Sequence, residues 1–219
     1  QYVSAAKKEV FGDIGIEGMT AGPSEVTIVA DKTSNPEWIA SDLIGQAEHD
    51  VLAQCILISK DKKILELTRK EIFKQVKLIP RSSIAKKSLM TNGILLNVSS
   101  DKKIIEIINK LGPEHLEISI KNYKPLVSKI KNAGSVCLGK YGVMAMTDYG
   151  VPGTNHVLPT NSTSKYSSGL NVSEFMKRIS FITLSKKGID KLGPSAITLA
   201  NYEGLSAHAE SIIKRIRRK

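Results

Sequence analysis

"EVTIVADKTSNPEWIASDLIGQAEHDVLAQCILIS", residues 25–59, decides the fold class of this chain. Its first segment, "EVTIVAD" (25–31), reads as a buried strand, because apolar and β-branched residues run unbroken between two terminal acids. Next, "NPEWIASDLIGQAEH" (35–49) puts Pro36 near a helix start and spaces its apolar residues three and four apart. "QCILIS" (54–59) then returns as a second buried strand. Strand, helix and strand in so short a span form a βαβ unit.

The same grammar continues downstream. Helix-like "KKILELTRKEIFKQVKL" (62–78) precedes the strand "GILLNV" (93–98), "DKKIIEIINKLG" (101–112) precedes "HLEISI" (115–120), and "KPLVSKIKNAG" (124–134) precedes "SVCLG" (135–139). Upstream, "YVSAAKKEVF" (2–11) has helix-like spacing and leads into the glycine-rich "GDIGIEGMTAGPSE" (12–25). From Lys140 the pattern changes: "GKYGVMAMTDYGVPGTNHVLPTNSTSKYSSG" (139–169) shows no regular element, and loops of that length are usually functional or disordered. After it come "VSEFMKRISFITLS" (172–185) and two helix-like segments, "KKGIDKLGPSAITLANYEG" (186–204) and "LSAHAESIIKRIRRK" (205–219). The expected fold is α/β: a mostly parallel sheet with flanking helices, Rossmann-like, over 1–178, and a small C-terminal helical extension over 179–219.

With 219 residues, 41% of them hydrophobic, the chain has enough apolar material for a real core in one large domain or two small ones. No long apolar run suggests a membrane span, and the first residues lack the apolar stretch of a signal peptide, so a soluble protein of the cytoplasm is expected. Cys55 and Cys137 both sit inside apolar runs, where a small buried hydrophobe is expected rather than a disulfide or metal ligand. A net charge of +11 invites nucleic acid as a partner, but the excess is scattered as lysine on solvent faces and aromatics are only 5%. The one dense basic cluster, "KRIRRK" (214–219), also suits the end of a helix. Gly12, Gly15 and Gly18 precede a strand, whereas a dinucleotide fingerprint follows one, so no cofactor loop is visible.

The chain has only four histidines: His49 in "QAEHD", His115 in "GPEHLE", His156 in "GTNHVLPT" and His208 in "LSAHAE". Such sparse residues in similar settings suggest a shared site, and histidine with carboxylate supplies both metal ligation and proton transfer near neutral pH. Helical spacing puts Gln46 and His49 on one face, allowing a two-donor clamp or a solvated surface pair. Asp148 in "MTDYG" is a hard oxygen ligand or a turn former. Glu203 and His208 converge only if a helix starts between them, and Gly204 lies there. Glu114 beside His115, where a Gly-Pro turn feeds a strand, is a proton-handling pair or two solvated neighbours.

"AGPSEVTIVAD" (21–31), "SDLIGQAEHD" (41–50), "GPEHLE" (112–117), "AGSVCLG" (133–139), "DYGVPGTNHVLPT" (148–160), "YSSGL" (166–170) and "EGLSAHA" (203–209) occur in the order, and at nearly the spacing, of the histidinol dehydrogenase family. The chain resembles the C-terminal half of a typical member, which makes the Rossmann-like domain an incomplete one. The resemblance implies zinc- and NAD-dependent oxidation of L-histidinol to L-histidine through the aldehyde, in a cytoplasmic homodimer with shared active sites. It implies zinc ligands at Gln46, His49 and Asp148, with His208 supplied by the partner subunit. Substrate contacts are implied at Ser24, His115, His156 and Glu203, with Gln46, His49, Asp148 and His208 lining the same pocket. Glu114 and His115 would be the proton acceptors, His115 for the hydroxyl proton and Glu114 for the attacking water.

The chain departs from the family pattern in three ways. The spacer from Asp148 to His156 is one residue longer, the family's NAD contacts fall upstream of Gln1, and the first sheet lacks its early elements, which leaves apolar edges to be covered. The alternatives are a non-catalytic or half-enzyme homologue that needs a separate N-terminal piece, and a basic nucleic-acid-binding module.

Overall fold

The computed structural model describes residues 2–17, 22–151, 153 and 155–216, so Gly18 of the glycine run and 217–219 of the basic terminus lie outside the described residues. The chain separates into two compact units, Gln1–Met176 and Lys177–Lys219. The first contains α1 (Tyr2–Glu9), β1 (Glu25–Ala30), α2 (Pro36–Ala47), β2 (Gln54–Ser59), α3 (Lys62–Gln75), α4 (Ser82–Asn92) and β3 (Gly93–Asn97). It continues with α5 (Asp101–Leu111), β4 (His115–Ser119), α6 (Lys124–Val127), β5 (Ser135–Leu138) and α7 (Met144–Asp148). The second unit is a pair of packed helices, α8 (Lys186–Tyr202) and α9 (Ser206–Ile216).

The strands form one sheet in the order β3-β2-β1-β4-β5, and every neighbouring pair is parallel. β1 lies in the centre, which is why an unbroken apolar run is required there: Val26 to Ala30 are all buried. On one face Val26, Ile28, Cys55 and Leu57 pack against Ile39 and Leu43 of α2, Ile64 of α3 and Ala85 of α4. On the other, Val29, Ile56, Ile58, Leu116 and Ile118 pack against Ile104 and Ile108 of α5 and Leu126 of α6.

The helix starts follow the local chemistry. The side chain of Asn35 accepts from the Glu37 amide ahead of Pro36, that of Asp61 from the Lys63 amide, and that of Ser100 from the Lys103 amide.

Three segments differ from their sequence reading. α4 carries no amphipathic signature because its buried residues, Ala85 and Ser88, are small, and Ser88 Oγ donates to the Ala53 carbonyl at 2.9 Å. The helix expected over 124–134 stops at Val127. Beyond it Asn109 takes over the backbone, accepting from the Lys131 amide at 2.7 Å and donating to the Lys129 carbonyl at 3.0 Å. The stretch 139–169 holds α7 and a short 3-10 turn at Thr163–Lys165, both too short to print a period in the sequence.

Both outer strands bear exposed apolar side chains, Ile94 and Leu95 on β3 and Val136 and Leu138 on β5. Cys55 and Cys137 are free and buried. Among the described residues no helix is long and apolar enough to cross a membrane.

Leu57 is fully enclosed at the centre of the first face. Leu57→Ala is expected to cost about 2–5 kcal/mol, read as a lower urea midpoint with an unchanged denaturant slope.

Candidate active site

Side chains alternate across a strand, so His115, Glu117 and Ser119 of β4 project to the face opposite Leu116 and Ile118. That is the face on which β1 and β2 carry Val26, Ile28, Ala30, Cys55 and Leu57. His115 pairs in register with Val26, and Glu117 with Ile28 and Cys137. The polar stripe is nonetheless buried, with His115 at 3% and Glu117 at 1% exposure. Glu114, just before the strand, is buried as well. Its Oε2 accepts from the Glu25 backbone N–H at 2.9 Å, the first amide of β1. A Cβ at residue 134 would fall 2.7 Å from the Glu114 carbonyl oxygen, so glycine there lets the chain entering β5 close against it. The Ser135 amide then donates to that carbonyl at 2.8 Å.

Asp148 reaches this corner through α7. Met144, at the start of α7, donates its backbone N–H to Glu117 Oε1 at 2.6 Å, and Asp148, at its end, has Oδ1 3.3 Å from His115 Nε2. At about 1.5 Å per residue α7 covers roughly 7 Å, and the two strand steps from Glu117 back to His115 cover about the same distance. α7 thus runs antiparallel to β4 and delivers Asp148 to the amino end of the sheet.

His115 Nε2 also lies 3.8 Å from Glu114 Oε1, and His156 Nδ1 lies 3.9 Å from Asp148 Oδ1 on an exposed loop. The far end of that loop is pinned to the same corner. The Gly22 amide donates to Thr160 Oγ1 at 2.7 Å, and the Asn161 amide to Glu25 Oε1 at 3.0 Å.

α2 runs opposite to the strands, so its C-terminal turn lies at their amino ends. Gln46 in that turn is 1% exposed, and among the described residues neither its amide oxygen nor its amide nitrogen has a hydrogen-bond partner, nor does the buried His115 Nδ1. α2 ends at Ala47, so His49 sits just past the helix, exposed, and close enough to His115 for a charge on one to be felt by the other. Ser24 is half-buried next to Glu25, and its carbonyl accepts from the Gln54 amide. Glu114, His115, Asp148 and His156 therefore cluster directly, with Ser24, Gln46 and His49 on the elements that border them. Glu203 and His208 belong to the second unit, where both are exposed; the helix break between them falls at Gly204, whose φ is +74°.

Burial sets the electrostatics. Removal from water pushes the Glu114 carboxyl up to about 7 from its ordinary 4.5; the Glu25 amide opposes this, and the charges of Glu25 and Asp148 add to it. The same desolvation pulls His115 down to about 4, against the attraction of Asp148. His115 is therefore a neutral imidazole at pH 7, while Glu114 sits at its midpoint. One turn away, the Asp42 carboxyl on α2 shares a hydrogen bond with Glu117, and burial raises Asp42 to about 6 and Glu117 to about 8.

Glu25, Asp42 and Glu117 escaped the sequence reading. Signals existed: an acid opening an apolar strand, an acid four residues before Gln46 and hence one helical turn away, and a polar residue two after His115. Among the described residues no group of three or more His, Cys, Asp or Glu is placed to hold a metal ion.

A model of the family described as histidinol dehydrogenase matches residues 1–216. The chain belongs to that family. It is 72% identical over 218 residues to a histidinol dehydrogenase of Pelagibacter ubique, covering 100% of this chain and 51% of that protein. It is 46% identical over 211 residues to one of Listeria monocytogenes, covering 96% of this chain and 49% of the relative. The crystal structure of histidinol dehydrogenase from Elizabethkingia anophelis superposes with a TM-score of 0.91 at 39% identity, over 99% of this chain and 49% of that one. The chain thus spans about half the length of the curated relatives it matches.

A raised acid has a defined linkage sign. Glu117 holds its proton longer when folded, so its contribution is complete below about 4.5 and is lost as pH climbs through about 8. The stability difference between the wild type and Glu117→Gln is therefore expected to move against the wild type between pH 4.5 and pH 8 in urea titrations of the metal-free protein.

Proposed function

We propose that this chain carries the zinc- and substrate-binding part of a site that oxidises L-histidinol to L-histidine through L-histidinal, with NAD, in histidine biosynthesis. One observation carries the reading: Glu114 and His115 are adjacent and buried at one corner, and burial pushes one acid up to about 7 and the imidazole down to about 4. Two proton acceptors tuned apart suit a reaction that must remove a proton from a hydroxyl and then from water.

In this reading neutral His115 takes the hydroxyl proton as hydride leaves the same carbon, which yields the aldehyde. Glu114, held by the Glu25 N–H, takes a proton from the water that attacks the aldehyde carbon. NAD, when bound, accepts the hydride of each oxidation. The doubly orphaned amide of Gln46 fits a cation, since a buried amide without partners is costly unless something else binds it. Gln46, His49 and Asp148 would hold zinc, with His208 from a second copy completing four ligands in a homodimer. Zinc, when bound, supplies a charge that orients the amine and imidazole of the substrate. Ser24, His156 and Glu203 are assigned to substrate contacts around it.

Zinc titration tests the metal half. Uptake by the wild type and a loss of about tenfold or more in affinity in Gln46→Ala are expected; a wild type that takes up no zinc overturns the assignment. The proton acceptors are tested by supplying L-histidinal with NAD and following NADH. The rate should rise with pH through about 7 as Glu114 ionises, with no limb from His115 above about 5. Glu114→Gln should lower it by about a hundredfold or more and flatten the profile; a variant that keeps both the rate and the limb removes Glu114 from the mechanism.

A further inference from the structure

Glu117 is the most enclosed acid of the sheet, yet no step above uses it. Its Oε1 accepts the N–H of Met144, the first residue of α7. That amide is one of the donors a helix start leaves unpaired, and the residue before it, Val143, provides no side-chain cap. Glu117 thus caps α7 from across the sheet. Its carboxyl is also hydrogen-bonded to that of Asp42, one helical turn before Gln46 on α2. A direct bond between two carboxyl groups requires a proton between them, so the contact is cohesive where two ionised groups would repel.

α7 has only 5 residues, far fewer than a helix needs to persist unaided. Where it sits is decided by what grips it. Met144 is buried and Thr147 Oγ1 donates to the Met144 carbonyl at 2.7 Å, so the anchored residue and the turn above it move together. The other end is Asp148, 3.3 Å from His115.

We propose that the Glu117–Asp42 pair is a positioning device that ties α2, β4 and α7 together and thereby sets where Asp148 stands relative to His115 and Gln46. Its consequence for metal binding rests on the reading of Asp148 as a zinc ligand; its consequence for α7 does not. Glu117 and Asp42 are assigned no substrate or metal contact in that reading.

The variants separate the hydrogen bonds from the packing. In Glu117→Gln the amide oxygen still accepts from Met144 and the amide N–H still donates to Asp42, so α7 exchange and zinc affinity in this variant should match the wild type. Glu117→Leu removes both bonds. If it fails to fold, Met144→Pro and Met144→Ala form a second pair. Both shorten the side chain, but only proline lacks the N–H, and it suits the first position of a helix after an extended Val143.

Hydrogen exchange over 143–151 in the metal-free protein should quicken in Glu117→Leu relative to Glu117→Gln, and in Met144→Pro relative to Met144→Ala. Zinc affinity should fall by about tenfold or more in the same two variants, and the visible spectrum of bound Co2+ should change. Unchanged exchange in Glu117→Leu and Met144→Pro overturns the positioning role. Faster exchange in both variants upholds it, and where it comes with unaltered zinc affinity it removes Asp148 from the ligand set; with a wild type that binds neither zinc nor Co2+ the exchange alone decides.

Discussion

Placing a polar stripe on the buried face of a parallel strand is the constraint on which the first unit depends. β4 presents His115 and Glu117 to the side of the sheet on which Val26, Ile28, Cys55 and Leu57 are packed. Desolvating such groups costs several kcal/mol unless hydrogen bonds or neutralisation offset it. The structure uses both. Backbone amides of Glu25 and Met144 aim at Glu114 and Glu117, Asp42 shares a bond with Glu117, and the burial that remains uncompensated appears as shifted proton affinities. An acid poised near pH 7 and a neutral imidazole beside it thus follow from the packing itself.

The location of the cluster follows from the directions of the elements. Doubly wound sheets commonly bind ligands beyond the carboxyl ends of their strands, where the strand order reverses. Here the order reverses between β1 and β4, and the cluster lies at that junction but on the amino side. Three elements run opposite to the strands or return over their starts: α2 brings Gln46, α7 brings Asp148, and the loop that follows is pinned through Thr160 and Asn161 to Gly22 and Glu25. Glu25 joins these roles in one residue, its amide holding Glu114 and its carboxylate holding the loop.

The chain belongs to the histidinol dehydrogenase family and spans about half the length of the relatives it matches. Within the first unit the buried Gln46 amide is left without a hydrogen-bond partner among the described residues. Glu203 and His208 belong to the second unit and are exposed there.

What the sequence alone determined was the fold grammar and a short set of candidate groups. The unbroken apolar runs of β1 and β2 and the three-four spacing of α2 can only be buried in a helix-covered parallel sheet, and four histidines, three of them with an acid within a few residues, narrow the candidates by scarcity. Only the tertiary structure decided that the polar residues of "HLEIS" are buried with the apolar ones, because that follows from α7 packing on one face and α5 and α6 on the other rather than from any local pattern. The same holds for Asn109 ending α6, for the small-residue face of α4, and for Glu25, Asp42 and Glu117. These roles arise between residues far apart in the chain, and local periodicity carries no record of which distant groups a fold will bring into one desolvated corner.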